Sequence, residues 1–234
     1  MLFTKANLVI HKIASIDPEY MQLASLHIDE DGSTVACNPF VALTCSPAPD
    51  TTHLPETQLP DVAPGASGVN AKLDIVEKTC RNLPKGLKSV PVQVARLTSC
   101  DKGRVGFTTL DQGHEQTVSG PPNREQYPDW REIFRHEWKR IKALGANRSV
   151  IVNRKRLIQL LQVMDEASQD RTDETLVEIH FGSADGSVML QSKNYETGQD
   201  LVAIANAVTI QGGWRPNVWV RKLLGNIIRK RRKR

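Results

Sequence analysis

The stretch VIVNRKRLIQLLQVM, residues Val150–Met164, contains the clearest folding signal in the chain. Asn153 is a favourable helix start because its side-chain oxygen accepts hydrogen bonds from the unpaired amides of the first turn. The residues after it form one apolar stripe at the spacing i, i+3, i+4 and i+7, namely Leu157, Leu160, Leu161 and Met164. The opposite face carries Lys155, Arg156, Gln159 and Gln162. The pattern predicts an amphipathic helix with a polar, positively charged outer face.

Strand signals follow this helix after a polar linker. Thr175–Phe181 (TLVEIHF) alternates between apolar and polar residues, as expected for a strand with one buried face. The Asp185-Gly186 pair is typical of a hairpin turn. Ser187–Lys193 and Leu201–Ile210 are predicted to continue the sheet. The predicted unit is a helix followed by antiparallel strands.

The same order of elements occurs upstream. A helix is predicted from about Asn70 until Pro84 and Gly86 end it, with an apolar face of Leu73, Val76, Cys80 and Leu83. Its outer face mixes the basic Lys78, Arg81 and Lys85 with the acidic Asp74 and Glu77. Strands are predicted at Val90–Thr98, at Arg104–Thr109 and near Glu115–Ser119, with a turn at Asp101–Gly103.

A weaker copy begins the chain. It has a short helical stretch from about Ala6 to Ser15, a strand over Leu23–Asp29, an Asp31-Gly32 turn, and strands at Ser33–Cys37 and Phe40–Cys45. A Pro-rich crossover, Ser46–Pro64, follows it. The chain thus repeats one helix-plus-strands unit, and the predicted fold class is α+β.

Charge divides the chain into two parts. The net charge is +5, yet all charged residues from Arg221 onward are basic: Arg221, Lys222, Arg229, Lys230, Arg231, Arg232, Lys233 and Arg234. Because these exceed the total, the first 220 residues carry a net negative charge. Apolar residues precede the last basic run at helical spacing. Such a tail binds nucleic acid, an anionic membrane or an acidic protein, or docks on a protein partner.

Signals for catalysis or metal binding are weak. The four cysteines form no CxxC pair, the six histidines form no HExxH motif, and no GxSxG or phosphate-binding glycine loop occurs. The Asp29-Glu30-Asp31 cluster could hold a divalent metal, but acidic residues are common in hairpin turns. A hydrolase or nuclease is therefore disfavoured, and no metal or cofactor is expected. No export signal or apolar span of roughly 18 residues is found, which favours a cytoplasmic protein.

Several stretches together carry a family resemblance. They are LASLHIDEDGSTVACNPFVALTCSP (Leu23–Pro47), NAKLDIVEKTCRNLPKG (Asn70–Gly86) with VGFTTLDQ and Tyr127-Pro128-Asp129-Trp130 after it, VIVNRKRLIQLLQVM, and LVAIANAVTI (Leu201–Ile210). In this order they resemble the bacterial sliding clamp, the beta subunit of the replicative DNA polymerase. Tyr127, Trp130 and Trp138 are expected to pack a linker between units, or to anchor a partner.

The resemblance implies a DNA-clamp-like fold of repeated half-units. It implies a first clamp-like domain at residues 1–130, with half-units 1–62 and 63–130, a second and possibly partial domain at 131–212, and a basic tail at 213–234. Clamp helices line a central hole and contact DNA phosphates, which carry no sequence information. The residues expected to do so are Lys78, Arg81, Lys85, Lys155, Arg156 and Gln159, together with the basic tail residues Arg221, Lys222 and Arg229–Arg234.

The implied function is that of a non-enzymatic processivity or tethering factor. It would bind DNA, form a homo-oligomer, recruit a polymerase or recombination protein, and need no membrane. The alternative is a clamp-derived adaptor that binds DNA without encircling it and recruits a replication or recombination partner. Only three half-units are counted, and residues 211–234 are too few for a fourth, so either one domain is truncated or strands were missed. In the bacterial clamp, the pocket that binds partner proteins includes the end of the last strand, which contains a proline. Residues Ala205–Ile210 do not match that strand end.

Overall fold

A computed structural model describes residues 1–48, 68–83, 94–100, 104–111, 114–143, 152–168, 177–181, 187–194 and 197–206. Within these residues the chain forms three half-units, each with a helix and antiparallel strands, and one further helix between the second and third. Lys85 and the basic tail from Arg221 to Arg234 lie outside the described residues. No helix of the described part is long and apolar enough to cross a membrane.

The first half-unit consists of β1 (Leu2–Thr4), α1 (Lys5–Val9), β2 (Ser25–Ile28), β3 (Thr34–Cys37) and β4 (Val41–Cys45). Asn7 supports the start of α1, because its side-chain oxygen accepts a hydrogen bond from the Thr4 amide at 3.1 Å. After Val9 the chain tightens into a 3-10 turn at Ile10–Ile13, and a second one follows at Pro18–Leu23. The single helix predicted over Ala6–Ser15 is therefore shorter and divided.

The second half-unit consists of β5 (Val69–Lys72), α2 (Leu73–Asn82), β6 (Val94–Cys100), β7 (Arg104–Asp111) and β8 (His114–Gly120). The predicted helix start at Asn70 is wrong, because Asn70 lies in β5 opposite His27 of β2. The Asn70 side-chain oxygen also lies 2.7 Å from His27 Nδ1. This pairing joins segments distant in sequence, so local helix signals do not reveal it.

The third half-unit consists of α4 (Arg154–Ser168), β9 (Val177–Phe181), β10 (Ser187–Lys193) and β11 (Asp200–Asn206). Asn153 begins α4 as predicted, since its Oδ1 accepts hydrogen bonds from the amides of Lys155 and Arg156 at 3.0 and 3.4 Å. Leu160 and Met164 are buried, while Leu157 and Leu161 are half-buried against the core. The predicted apolar stripe is therefore confirmed.

The first two half-units exchange their first strands. Strand β1 pairs with β6, which places Phe3 opposite Ala95, and β5 pairs with β2, which places Ala71 opposite Leu26. Helices α1 and α2 each begin directly after a strand that belongs to the other half-unit's sheet. The two half-units are consequently interlocked around one apolar core.

A strand junction connects the first and third half-units. Their last strands, β4 and β11, pair antiparallel with Leu43 opposite Ala203. The result is a seven-stranded sheet in the order β5-β2-β3-β4-β11-β10-β9, beside a four-stranded sheet in the order β1-β6-β7-β8. The larger sheet therefore runs without interruption from one half-unit into another.

Helices α1, α2 and α4 pack against the sheets through one shared core. It includes Leu8 of α1, Val76 of α2 and Leu160 of α4, together with Leu43 and Ala203 of the seven-stranded sheet. Successive strand residues point to opposite faces. The neighbours of Leu43 and Ala203 along their strands therefore belong to the other face of that sheet.

Helix α3 (Trp130–Ala143) lies on that other face. The strand registers place these side chains in one row there: Ala42, Ile204, Met189 and His180. Trp138 of α3 packs edge-on against His180, with ring centroids 4.9 Å apart. The sequence signals were interpreted as a linker around Tyr127–Trp130, and a helix at this position was not predicted.

Candidate nucleic-acid interface

Helices α2, α1 and α4 form a continuous layer, which we call the inner helix layer. Helix α1 lies in the middle and contacts both α2 and α4. The exposed residues of α2 and α4 therefore lie on the same side of the molecule. This arrangement brings together Lys78 and Arg81 with Lys155, Arg156 and Gln159, the described residues that were predicted to contact DNA.

The exposed face of α2 is electrically balanced. Lys78 and Arg81 are exposed, but so are Asp74 and Glu77. Arg81 Nη2 donates to Glu77 Oε1 at 2.5 Å, one helical turn away. Both side chains are more than half exposed, so solvent weakens this ion pair and leaves Arg81 able to exchange partners. The balance of charge makes α2 a weak phosphate-binding surface by itself.

The first turn of α4 carries the densest positive charge of the inner helix layer. Arg154 and Lys155 are exposed there, and the turn contains no acidic residue. The amino-terminal end of a helix is itself positive, so these charges add to the helix dipole instead of offsetting it. Sequence reasoning singled out Lys155 but missed Arg154, although the Arg154-Lys155-Arg156 run was visible directly after the helix-capping Asn153.

Two other predicted contacts of α4 are engaged within the protein. The Arg156 guanidinium lies over the Phe40 ring, 3.1 Å from its centroid, and the side chain is half-buried. Gln159 Nε2 donates to the backbone oxygen of Lys12 at 3.2 Å. Both side chains thus attach α4 to the first half-unit. Their capacity to contact a phosphate is lower than that of Lys155.

Residues after α1 contribute little additional positive charge. Lys12 Nζ lies 2.5 and 2.7 Å from the two carboxylate oxygens of Glu166 in α4, which neutralises it. Burial lowers the pKa of His11, so its imidazole is neutral at physiological pH. The strongly basic tail, which contains most of the predicted DNA contacts, lies outside the described residues.

Polar contacts that were not predicted from the sequence attach the start of α3 to the β2–β3 turn. Arg131 of α3 donates from Nε to Asp29 at 2.8 Å and from Nη2 to Asp31 at 2.6 Å, while Trp130 Nε1 donates to Asp29 at 3.1 Å. Partial burial raises the pKa of Asp29, but hydrogen bonds from Arg131 and from the Glu30 amide outweigh this effect and lower it. The pKa of Asp31 is likewise lowered, because hydrogen bonds from Ser33 and Arg131 outweigh burial.

These contacts give the acidic cluster of the β2–β3 turn a structural role. Two of its carboxylates bind an arginine, and among the described residues no group of three or more His, Cys, Asp or Glu side chains is arranged to hold a metal ion. The helical spacing of Trp130, Ile133, Phe134 and Trp138 was the available signal for α3. It identifies the face of α3 that packs on the sheet.

The aromatic residue before α3 is part of the core. Tyr127 is buried and stacks on His27, with ring centroids 4.7 Å apart. Its hydroxyl lies 2.9 Å from the Cys37 sulfur. This agrees with the expectation that Tyr127 packs the segment between units.

The described cysteine side chains are poor nucleophiles. Burial raises the pKa of Cys37 to about 11, despite the hydrogen bond with Tyr127, and raises the pKa of Cys80 to about 12. Burial also raises the pKa of Cys45. All three thiols are protonated at neutral pH, whereas a reactive cysteine needs a substantial thiolate fraction.

An apolar depression lies between α3 and the sheet, which we call the outer groove. It has a volume of about 190 Å³, and its walls include Pro39, Phe40, Ile133, Phe134, Ile204 and Asn206. Phe40 and Ile133 are 45% and 47% exposed. The outer groove lies on the α3 side of the sheet, opposite the inner helix layer, and Phe40 links the two because its ring also contacts Arg156 of α4.

Comparison with known proteins identifies the architecture. The sequence matches no known family profile and no curated protein. The structure is similar to the DNA polymerase beta subunit of Streptococcus pyogenes, with a TM-score of 0.55 and 12% identity over 90% of this chain and 66% of that chain. It is also similar to the Helicobacter pylori beta clamp, with a TM-score of 0.56 and 10% identity over 88% of this chain and 64% of that chain.

This chain has the sliding-clamp fold. The Pseudomonas aeruginosa DNA polymerase III subunit beta agrees, with a TM-score of 0.53 and 11% identity over 89% of this chain and 66% of that chain. The predicted resemblance and the predicted fold class are therefore confirmed: the chain is a divergent, clamp-like α+β protein. It spans about two thirds of the length of the clamp chains that it matches.

Proposed function

We propose that this protein is a non-enzymatic, clamp-like factor that tethers a partner to DNA by contacting phosphates without sequence specificity. The observation that carries the proposal is the β4–β11 junction. It places α4 beside α1, so that helices of three half-units form one layer backed by sheets. A layer of this kind can contact the phosphates of a duplex without reading its bases.

In this proposal the positive charge comes from two sources. The first turn of α4, with Lys155, supplies phosphate contacts within the clamp fold, and Lys78 and Arg81 of α2 add weaker ones. Lys85 and the basic tail, with Arg221, Lys222 and Arg229–Arg234, supply the larger electrostatic attraction. We retain the division into domains at residues 1–130 and 131–212, followed by the tail, and we place the protein in the cytoplasm.

Topological retention tests encirclement. The protein is bound to nicked circular DNA and to the same DNA after linearisation, and both are passed through a sizing column at high salt. A closed ring stays on circles and slides off linear molecules, because its link to DNA is topological rather than electrostatic. Equal loss from both substrates would exclude a closed ring.

The alternative is a clamp-derived adaptor that binds DNA without encircling it. One observation favours it: α2 presents a balanced charge, which weakens the inner helix layer as a phosphate-binding surface. Light scattering separates the two functions, because a ring requires several copies of the chain and an adaptor works as a monomer. A monomer at DNA-binding concentrations supports the adaptor.

Both proposed functions require the protein to bind protein partners. A Helicobacter pylori beta clamp has been determined bound to a DNA ligase peptide. We propose by analogy that this chain forms homo-oligomers and recruits a polymerase or recombination protein. The absence of catalysis is tested by incubating the protein with nucleic acid and divalent metal, where strand cleavage above a heat-inactivated control would contradict the proposal.

A further inference from the structure

Among the described residues, the third half-unit lacks the partner that the first two half-units provide for each other. Strand β2 follows α1 and is bordered by β5, and β6 follows α2 and is bordered by β1. The exchanged strands help to cover core-facing side chains: Leu26 and Ile28 of β2 are fully buried, and Leu97 of β6 is 2% exposed. Strand β9 has the same position after α4, but it ends the seven-stranded sheet, and no described strand borders its other side.

Ile179 of β9 is exposed at a position where the equivalent residue of β6 is buried. It lies opposite Leu190 of β10, a core residue, and so points towards the helix side of the sheet. In β6, Leu97 lies opposite Phe107 of β7 in the same way. Ile179 is 41% exposed, whereas Leu97 is 2% exposed. An open sheet edge with a large apolar side chain on its core-facing side is a surface suited to pairing with another chain.

Helix α4 has a helical neighbour on one side only within the described residues. Gln159 and Glu166 mark the side towards α1, since both contact Lys12 in the turn after α1. Leu161 lies two residues from Gln159, on the opposite side of a helix that turns roughly 100° per residue, and it is half-buried. In the first two half-units the place beside each helix is filled, because α1 and α2 contact each other. Residues 207–234 lie outside the described residues and are fewer than those of any described half-unit, so they cannot form a complete partner.

We propose that the third half-unit of a second copy of this chain completes the pair, with β9 and α4 of the two copies facing each other across a two-fold axis. In each copy Val152 precedes the helix cap Asn153, as Phe3 precedes Thr4 at the start of α1. Phe3 lies opposite Ala95 of β6, and Val152 takes the corresponding place beside β9 of the second copy. A second copy fits because an isologous contact covers both open edges at once. The inference specifies the interface of the proposed homo-oligomer, and it does not depend on DNA binding.

Light scattering of the full-length protein across a dilution series, without DNA, tests the interface. We expect an even-numbered oligomer, and we expect Ile179→Lys to halve its mass and to raise the dissociation constant of the pair at least about tenfold, because a lysine charge would be enclosed between the two copies. Ile133→Lys is the matched control, since Ile133 is 47% exposed and lies on α3 at the other face, and it should leave the mass unchanged. An unmodified protein that is a monomer at every concentration, or an equal effect of the two substitutions, would overturn the proposal.

Amide hydrogen exchange of the unmodified protein gives a second measurement that does not depend on how a variant folds. We expect the amides of residues 177–181 to exchange more slowly in the oligomer than after dilution to single chains. Protection that is the same at all concentrations would overturn the proposal, because another part of the same chain would then cover β9. A protein that pairs through β9 but does not bind DNA would contradict the proposed function and leave this interface standing.

Discussion

Arg131 shows how a single side chain fixes a helix that local sequence signals did not reveal. It bridges Asp29 and Asp31 in the β2–β3 turn and so holds the start of α3 against the outer face. Two hydrogen bonds from one guanidinium to carboxylates fix its orientation in addition to the electrostatic attraction. The position of α3 therefore depends on a turn about 100 residues earlier in the chain.

We expect Arg131→Ala to lower the free energy of unfolding by about 1 kcal/mol at pH 7, a value limited by solvent screening of the partly exposed arginine. The pKa values of Asp29 and Asp31 lie below the unfolded value of about 3.9. The stabilisation is therefore present above that pH and lost as the pH falls below it. Urea unfolding from pH 7 to pH 3 should show the two proteins converging in acid.

Arg135→Ala is the control for this prediction. Arg135 is exposed one turn further along α3, so the substitution removes the same charge while the Arg131 contacts remain. A difference between Arg131→Ala and unmodified protein that is as large at pH 3 as at pH 7 would assign the effect to packing instead of the ion pairs.

At the same scale, Arg154 and Lys155 are the described residues most suited to phosphate contact. We expect Arg154→Glu combined with Lys155→Glu to weaken DNA binding for all sequences equally, and to reduce the salt dependence by about 0.9 logarithmic units per lost contact. The control is Arg135→Glu with Lys139→Glu, two exposed residues of α3, which makes the same charge change away from the inner helix layer. Similar losses in both double variants would show that net charge, and not the α4 end, governs binding.

Among the elements, α4 is the one whose sequence pattern and tertiary role agree most closely. Its apolar stripe reaches the junction of the first and third half-units, because Leu160 packs in the same core as Leu43 and Ala203. Helix α2 agrees in part, since its apolar face is buried but its first predicted turn belongs to β5. Helix α3 was missed because the Pro128-Asp129 pair before it was interpreted as part of a linker.

Leu160→Ala tests the burial of the α4 stripe. We expect the free energy of unfolding to fall by about 2 to 5 kcal/mol, because the removed methyl groups leave a cavity at a fully buried site. Ile158→Ala, on the exposed side of the same helix, should change it by less than about 1 kcal/mol. Urea unfolding followed by circular dichroism measures both changes. A similar decrease in the free energy of unfolding for the two variants would contradict the burial of the Leu160 face.

For the whole molecule, the distribution of charge matters more than its total. The described helices carry a modest positive charge at the first turn of α4, whereas the basic tail carries a dense one. Long-range attraction to DNA depends on such a concentration of charge and is sensitive to salt. The tail is therefore expected to contribute most of the non-specific affinity.

Deletion of Ile227–Arg234 should lower DNA affinity and flatten its salt dependence, because fewer counterions are released on binding. Fluorescence anisotropy with a labelled duplex at several salt concentrations measures both quantities. A variant with the basic residues of this segment replaced by glutamine keeps the length of the chain and serves as the control. If the salt dependence of DNA affinity were unchanged in both variants, this segment of the tail would not contact DNA.

The sequence by itself determined the repeating unit, the capped and amphipathic α4, the Asp31-Gly32 turn and the segregation of basic charge into the tail, while the predicted turns at Asp101–Gly103 and Asp185-Gly186 lie outside the described residues. These features depend on side-chain periodicity and local backbone preferences, which are written in consecutive residues. Only the tertiary structure decided the exchange of β1 and β5, the β4–β11 junction, the outer position of α3 and the pairing of Arg131 with Asp29 and Asp31. Each of these joins residues far apart in the chain, and strand partners are chosen by burial and register across the whole sheet rather than by any local signal.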